Sequence, residues 1–140
     1  MPAEDRLIFL ISKVYQKLII NLQKSFSESG IEVTPAQVML LFFLQQNNGL
    51  SLTRISQGLM LENPTVTGLI DRLEKSGHVK RSDHPKDRRV YLVYLTEKGK
   101  KVAKKALPIV KKLNEQIKAG YSKSEIETFK KVLIGAFNRF

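Results

Sequence analysis

The chain has 140 residues, 42% of them hydrophobic and 26% charged, with no cysteine. That length holds one domain with a real core, and the composition is globular rather than disordered. The missing cysteine excludes a disulfide framework, a thiolate zinc site and a thiol redox switch, while a net charge of +11 favours a polyanion as partner.

The surplus charge is uneven. Residues 1–70 carry five basic and five acidic side chains, whereas residues 71–140 carry 19 and eight. Nucleic acid is therefore the first candidate partner and an anionic membrane surface the second. Apolar runs such as "LIFLI" are far too short to span a bilayer. Glu4, Asp5 and Arg6 stand before the first apolar run and no small-residue cleavage site follows it, so no signal peptide is read and a cytoplasmic location is expected.

Residues 5–28 read as a long helix. Leu7, Ile8, Leu10, Ile11, Val14, Tyr15, Leu18, Ile19, Leu22 and Phe26 recur at helical spacing on a very wide stripe. A stripe that wide needs cover on more than one side, and a second subunit is the expected source. Gly30 is the stop signal.

"TPAQ" opens the next helix: Thr34 caps, Pro35 suits the first helical position and Gln37 completes a capping box. Val38, Leu40, Leu41, Phe42 and Leu44 follow as core, and "NNG" ends it. A short helix over 52–59 places Leu52, Ile55 and Leu59 on one face. After a tight connection at Met60–Glu62, Asn63 is read as cap and Pro64 as first helical residue of a further helix, with Val66, Leu69, Ile70 and Leu73 inward and Gly77 as its stop. Two short helices joined by a tight turn are a helix-turn-helix candidate.

The outward residues of that second helix are Thr65, Thr67, Gly68, Asp71 and Arg72. Small hydrogen-bonding side chains on its first turns suit a helix whose N-terminal end enters the major groove, where bulk would hold it off the bases. Its amino end suits a phosphate. Gly68 costs about 1 kcal/mol against alanine in a helix interior; close backbone approach is one explanation, packing against a neighbouring helix the other.

"HVKRS" and "VYLVYL" then read as two strands joined by a loop from Asp83 to Arg89. Arg88 and Arg89 sit beside Asp87 at its tip, with Lys86 and Arg81 nearby. A lone basic turn is ordinarily just solvated. A two-stranded ribbon directly after a recognition helix is a wing, however, and its arginines would lie against the flanking minor groove. Asp87 can hold one of them by a charge-assisted bond and fix its aim. Ser51 and Thr53, at the start of the short helix, are candidates for DNA phosphate contact.

Thr96 caps a long basic helix with Gly99 in its first turn and a stripe of Val102, Ala106, Val110, Leu113 and Ile117. Pro108 lies inside and should kink it. "SKSE" at 122–125 is a second capping box, opening a last helix with Ile126, Phe129, Leu133, Ile134 and Phe137 inward. There is no internal repeat, linker or low-complexity segment.

"TPAQVMLLFFL", "TVTGLIDRLEKSG" followed by a wing, and the D-x-R then L-T-x-x-G signature at Asp87, Arg89 and Leu95-Thr96-Glu97-Lys98-Gly99 resemble the MarR family of winged helix-turn-helix transcriptional regulators. The likeness covers nearly the whole chain. It implies a mainly α fold of six helices with two to three short strands. A winged helix-turn-helix lobe at 34–95 would be flanked by dimerisation helices at 5–30 and 96–140. It further implies a homodimer on a pseudo-palindromic operator in double-stranded DNA, a recognition helix at 63–77 and Arg89 entering the minor groove. The dimer would be a repressor that a small aromatic or phenolic effector releases.

The DNA-binding set on the recognition helix is then Asn63, Thr65, Thr67, Gly68 and Arg72, with base readout resting on Thr67, Arg72 and DNA shape, and the wing set is Arg81, Lys86, Asp87, Arg88 and Arg89. Tyr15, Phe42 and Phe43 are candidates for lining an effector pocket, although ordinary core is the simpler reading. Without cysteine the chain cannot sense peroxide through a thiol, and with His78 and His84 as its only histidines a zinc sensor is not expected. No cofactor or metal is expected, and an enzyme is not: the chain shows no nucleophile–base pair, metal-ligand cluster or glycine-rich phosphate loop. The basic helix lacks the aromatics of a membrane-surface helix. The competing reading is an architectural protein that coats DNA without sequence preference.

Overall fold

A computed structural model describes residues 6–140. Glu4 and Asp5, the latter the first residue of the helix expected from 5, lie outside the described residues. The order is α1 (Leu7–Glu28), α2 (Pro35–Gln46), β1 (Leu50–Ser51), α3 (Leu52–Leu59), α4 (Asn63–Lys75), β2 (Val79–Asp83), β3 (Tyr91–Leu95), α5 (Glu97–Lys118) and α6 (Lys123–Arg139). The three strands form one antiparallel sheet in the order β1-β3-β2. The mainly α winged-helix architecture is thus present, with β1 as the third strand.

The chain divides into two compact units, one ending at Ile109 and the other Val110–Phe140. The core of the first is built from Phe26, Val38, Leu40, Leu41, Leu44, Ile55, Val66, Ile70, Leu73 and Val93. These are Phe26 of α1, the inward positions of α2, α3 and α4, and Val93 at the middle of β3. Both capping boxes form. Thr34 Oγ1 accepts from Gln37 N–H at 3.2 Å and Gln37 Oε1 from Thr34 N–H at 2.9 Å; Ser122 and Glu125 exchange the same pair at 3.1 and 2.9 Å.

Two close approaches fix the lobe. Phe43 lies where a side chain on Gly58 would stand, so α2 meets α3 without a spacer. The His78 carbonyl likewise occupies the place of a Cβ on Gly99. That joint is tied by Thr96, whose Oγ1 donates to the Gly77 carbonyl at 2.6 Å and accepts from Gly99 N–H at 3.1 Å. His78 N–H bonds back to the Leu73 carbonyl at 2.8 Å, and Thr96 N–H to the His78 carbonyl at 3.1 Å. The end of α4, the foot of β2 and the start of α5 therefore meet at one point.

Several expectations are corrected. The cap of α4 is Glu62, one residue before Asn63, which is already helical; Pro64 then occupies the second position. Glu62 makes no side-chain capping bond, so its extended backbone rather than its chemistry marks the boundary. Ile126, Phe129, Leu133, Ile134 and Phe137 do not point into a core of this chain: no residue of α6 is buried, and Phe137 is 65% exposed. Among the described residues nothing buries that face. On α1 only Phe26 is buried, while Leu7, Ile8, Ile11 and Ile20 are exposed. Pro108 lies inside α5, where the sequence places it.

Candidate nucleic-acid interface

Helix α4 buries Val66, Leu69, Ile70 and Leu73 and turns its other side to solvent. Asn63, Thr65 and Arg72 are exposed, and Thr67 and Gly68 half-exposed. A Cβ built on Gly68 meets nothing within 4 Å. Of the two explanations for this glycine, packing against a neighbouring helix is removed. The turn before α4 is tight: Met60 adopts φ 55°, the left-handed region that non-glycine residues seldom enter, and Leu61 N–H closes the turn on the Ser56 carbonyl at 3.1 Å.

At the start of α3 the Ser51 hydroxyl accepts from Arg54 N–H at 3.3 Å, leaving its own proton free to donate. Thr53 and Arg54 beside it are exposed. Arg54 is a cation that sequence reading passed over, because it stands outside any motif; its signal is its position three residues after a capping serine.

The ribbon β2–β3 is in register from Val79↔Leu95 to Asp83↔Tyr91. Beyond it the tip is built by its own side chains. Asp87 Oδ1 accepts from the Arg89 backbone N–H at 3.0 Å and from its Nε at 3.2 Å, and Oδ2 from Nη2 at 3.3 Å. The carboxyl of Asp87 is held below the usual range first by that side-chain bond and then by the backbone one. The Arg89 side chain is nonetheless 90% exposed, so its position is fixed while its outer face stays free. His84 Nδ1 accepts from Lys86 N–H at 3.1 Å, and Lys86 and Arg88 project into solvent.

Arg81 has a different position from the rest of the wing set. Its side chain is only 28% exposed. Nη1 donates to Glu74 Oε1 at 2.9 Å, its backbone N–H to Glu74 Oε2 at 3.1 Å, and Nη2 bonds Asp71. The guanidinium carbon lies 4.8 Å from the centre of the Tyr91 ring. Arg81 is therefore turned inward onto α4, away from the tip. His78 is also inward: buried at the foot of the wing, its Nδ1 lies 2.6 Å from the Ser76 hydroxyl, and burial pushes its pKa below the ordinary value, with Lys98 acting the same way and Glu32 opposing.

The aromatic trio fares less well as a pocket. Tyr15 is 58% exposed, whereas Phe42 and Phe43 are half-buried and the Phe43 ring is taken up by α3. A concavity of about 420 Å³ lies instead within the second unit, lined by Ile117, Tyr121, Glu125, Ile126 and Phe129. Among the described residues no three His, Cys, Asp or Glu gather where an ion could be held, and no helix is long and apolar enough to cross a membrane.

A model of the MarR family matches residues 33–91. The Bacillus subtilis protein YfiV, an uncharacterized HTH-type transcriptional regulator, is 39% identical over 104 residues, 73% of this chain and 63% of YfiV. The chain spans 35% and 63% of the length of two curated relatives that it matches. Among solved structures, a mutant MarR from E. coli complexed with operator DNA is 25% identical, with TM-score 0.84 over 91% of this chain and 90% of that one. Bordetella bronchiseptica BpsR, whose DNA binding is regulated by 6-hydroxynicotinic acid, is 25% identical, with TM-score 0.81 over 91% of this chain and 95% of BpsR. These relatives are regulators of transcription rather than enzymes. The helix-turn-helix and wing, residues 33–91, are those of the MarR family of winged helix-turn-helix proteins.

Proposed function

We propose that the protein is a sequence-specific DNA-binding transcription regulator, acting as a homodimeric repressor that a small aromatic or phenolic acid releases from its operator. The observation that carries the DNA reading is Gly68. It stands on the solvent face of α4 with open space over it, and a glycine that no protein neighbour requires is accounted for by a duplex lying close against the helix. Thr65 and Thr67 would then meet base edges and Arg72 a base or phosphate. Ser51, Thr53 and Arg54 would grip the backbone through one hydroxyl, another and a cation. Lys86, Arg88 and Arg89 would reach the adjacent minor groove, where Asp87 keeps Arg89 aimed.

Pairing is supported by the uncovered apolar faces of α1 and α6, which a second copy would bury. Two recognition helices reading one side of B-DNA must stand roughly 34 Å apart. An effector that prefers a differently spaced dimer then weakens DNA binding, because coupling is reciprocal. Regulation of BpsR by 6-hydroxynicotinic acid supports an aromatic acid as the class. The excess of 11 positive charges favours the alternative, a non-specific architectural protein.

Selection of duplexes from a random pool separates the two. A regulator enriches paired half-sites one helical turn apart, and aromatic acids screened against the enriched duplex include one that releases it. A pool that stays random, with steep salt dependence, makes the protein architectural.

A further inference from the structure

The geometry points to Arg81 as a positioning residue for DNA binding, which locks the wing to the recognition helix rather than touching the duplex. The inference rests on the proposed DNA reading and adds a residue role to it. Asp71 and Glu74 stand three residues apart on α4, hence on one face, and both close on Arg81. Glu74 uses each carboxylate oxygen, one for the guanidinium and one for the strand backbone, at 2.9 and 3.1 Å. The tie thus fixes the strand itself along with its side chain. On the other side the Tyr91 ring of β3 packs against the cation, so both strands are included. The remaining donor, Nε, is buried without a partner; that desolvation costs stability, and the arrangement carries it in return for a defined angle between ribbon and helix.

Position in the ribbon makes the consequence specific. Val79 and Arg81 alternate onto the α4 side of β2, and outward of Arg81 every residue of β2 is exposed. Among the described hydrogen bonds, those of Arg81 are the outermost from the ribbon to α4. Without them the outer ribbon is held by its own ladder alone, and the tip arginine samples orientations that it must give up on binding.

The test uses the full-length protein and a duplex enriched from a random pool by the wild type, with affinity measured across a salt series and melting recorded for every variant. Arg81→Met is expected to weaken binding about tenfold, the scale of re-ordering one or two side chains on association. Arg81→Lys, which keeps the charge but loses the planar fork, is expected to weaken it similarly. Glu74→Gln approaches the contact from α4 and covers the case in which Arg81→Met does not fold. It removes a negative charge beside the duplex, so electrostatics alone would tighten binding, whereas a broken tie weakens it several-fold. The salt slope stays that of the wild type, and in an Arg89→Ala background Arg81→Met costs less than about twofold, because Arg81 acts through the tip.

Tighter binding by Glu74→Gln, wild-type affinity in Arg81→Lys, a slope reduced by about one in Arg81→Met, or multiplicative effects of the two arginine changes would each overturn the role. An Arg89→Ala protein that binds as the wild type would instead remove the wing from the DNA reading altogether.

Discussion

Asp87 holds Arg89 by both its backbone N–H and its guanidinium, and leaves 90% of the arginine side chain exposed. An arginine whose orientation is settled before contact gives up less freedom on binding. Arg89→Ala is therefore expected to lower operator affinity by roughly tenfold or more, and Asp87→Ala by a smaller factor despite removing a negative charge. Thermal midpoints should move little, because both side chains are at an exposed tip. Anisotropy titrations with matched melting curves check this; an Asp87→Ala protein with raised affinity would mean that the pair has no aiming role.

Gly68 offers a case in which stability and affinity move in opposite directions. Alanine there meets open space and gains about 0.5–1 kcal/mol of helix stability. The same methyl group holds the duplex off, so specific affinity should fall. Chemical denaturation and duplex titration of Gly68→Ala read the two effects separately. A variant that is more stable and binds equally well would leave the glycine without a role in the interface.

Gly99 is the opposite case. A methyl group on it would collide with the His78 carbonyl, which is backbone and already receives Thr96 N–H. Gly99→Ala should cost about 1–3 kcal/mol, the usual scale of overpacking. Urea titration of the variant measures it, and an unchanged midpoint would show that the joint can yield.

The pH dependence of stability should carry a mark of His78. Burial, aided by Lys98, lowers its pKa below the ordinary 6.5. Below about pH 6.5 the unfolded chain then binds a proton that the folded chain refuses. This contribution is complete above the unfolded pKa and is lost as pH falls toward the folded value. His78→Gln should flatten the melting temperature between pH 7.5 and about pH 5 relative to the wild type; parallel curves would show that the imidazole charges without penalty.

Phe137 lies 65% exposed on α6, so a lysine there does not disturb the folded single chain. If a second copy covers that face, Phe137→Lys buries a charge in the pair and shifts the protein toward monomer. Sedimentation velocity over a concentration series gives the answer, and an unaltered dimer would place the contact elsewhere.

The legibility of the chain followed the range of the interactions concerned. The Thr34–Gln37 and Ser122–Glu125 boxes are complete within four residues, and both were readable from residue type and spacing. Val66, Leu69, Ile70 and Leu73 were readable because a buried face repeats at helical period. Glu62 was missed as cap because its side chain makes no capping bond and Asn63 is the better capping type. Arg81 was grouped with the tip because its ties to Asp71 and Glu74 depend on how β2 lies against α4, which spacing along the chain does not encode. The apolar residues of α6 share a helical spacing, but periodicity says nothing about what covers a face, and the inward direction read from it is not what the structure has.

The double use of the Thr96 hydroxyl, with the Thr96 backbone N–H as a third tie, bears on how specificity could be moved between proteins of this kind. Because the last turn of α4, the foot of the ribbon and the first turn of α5 close on the same few atoms, a graft of the recognition helix alone would splice a foreign end into a joint cut for the native one. A working transplant has to carry residues 62–99 as a single cassette, so that the whole joint moves with the helix.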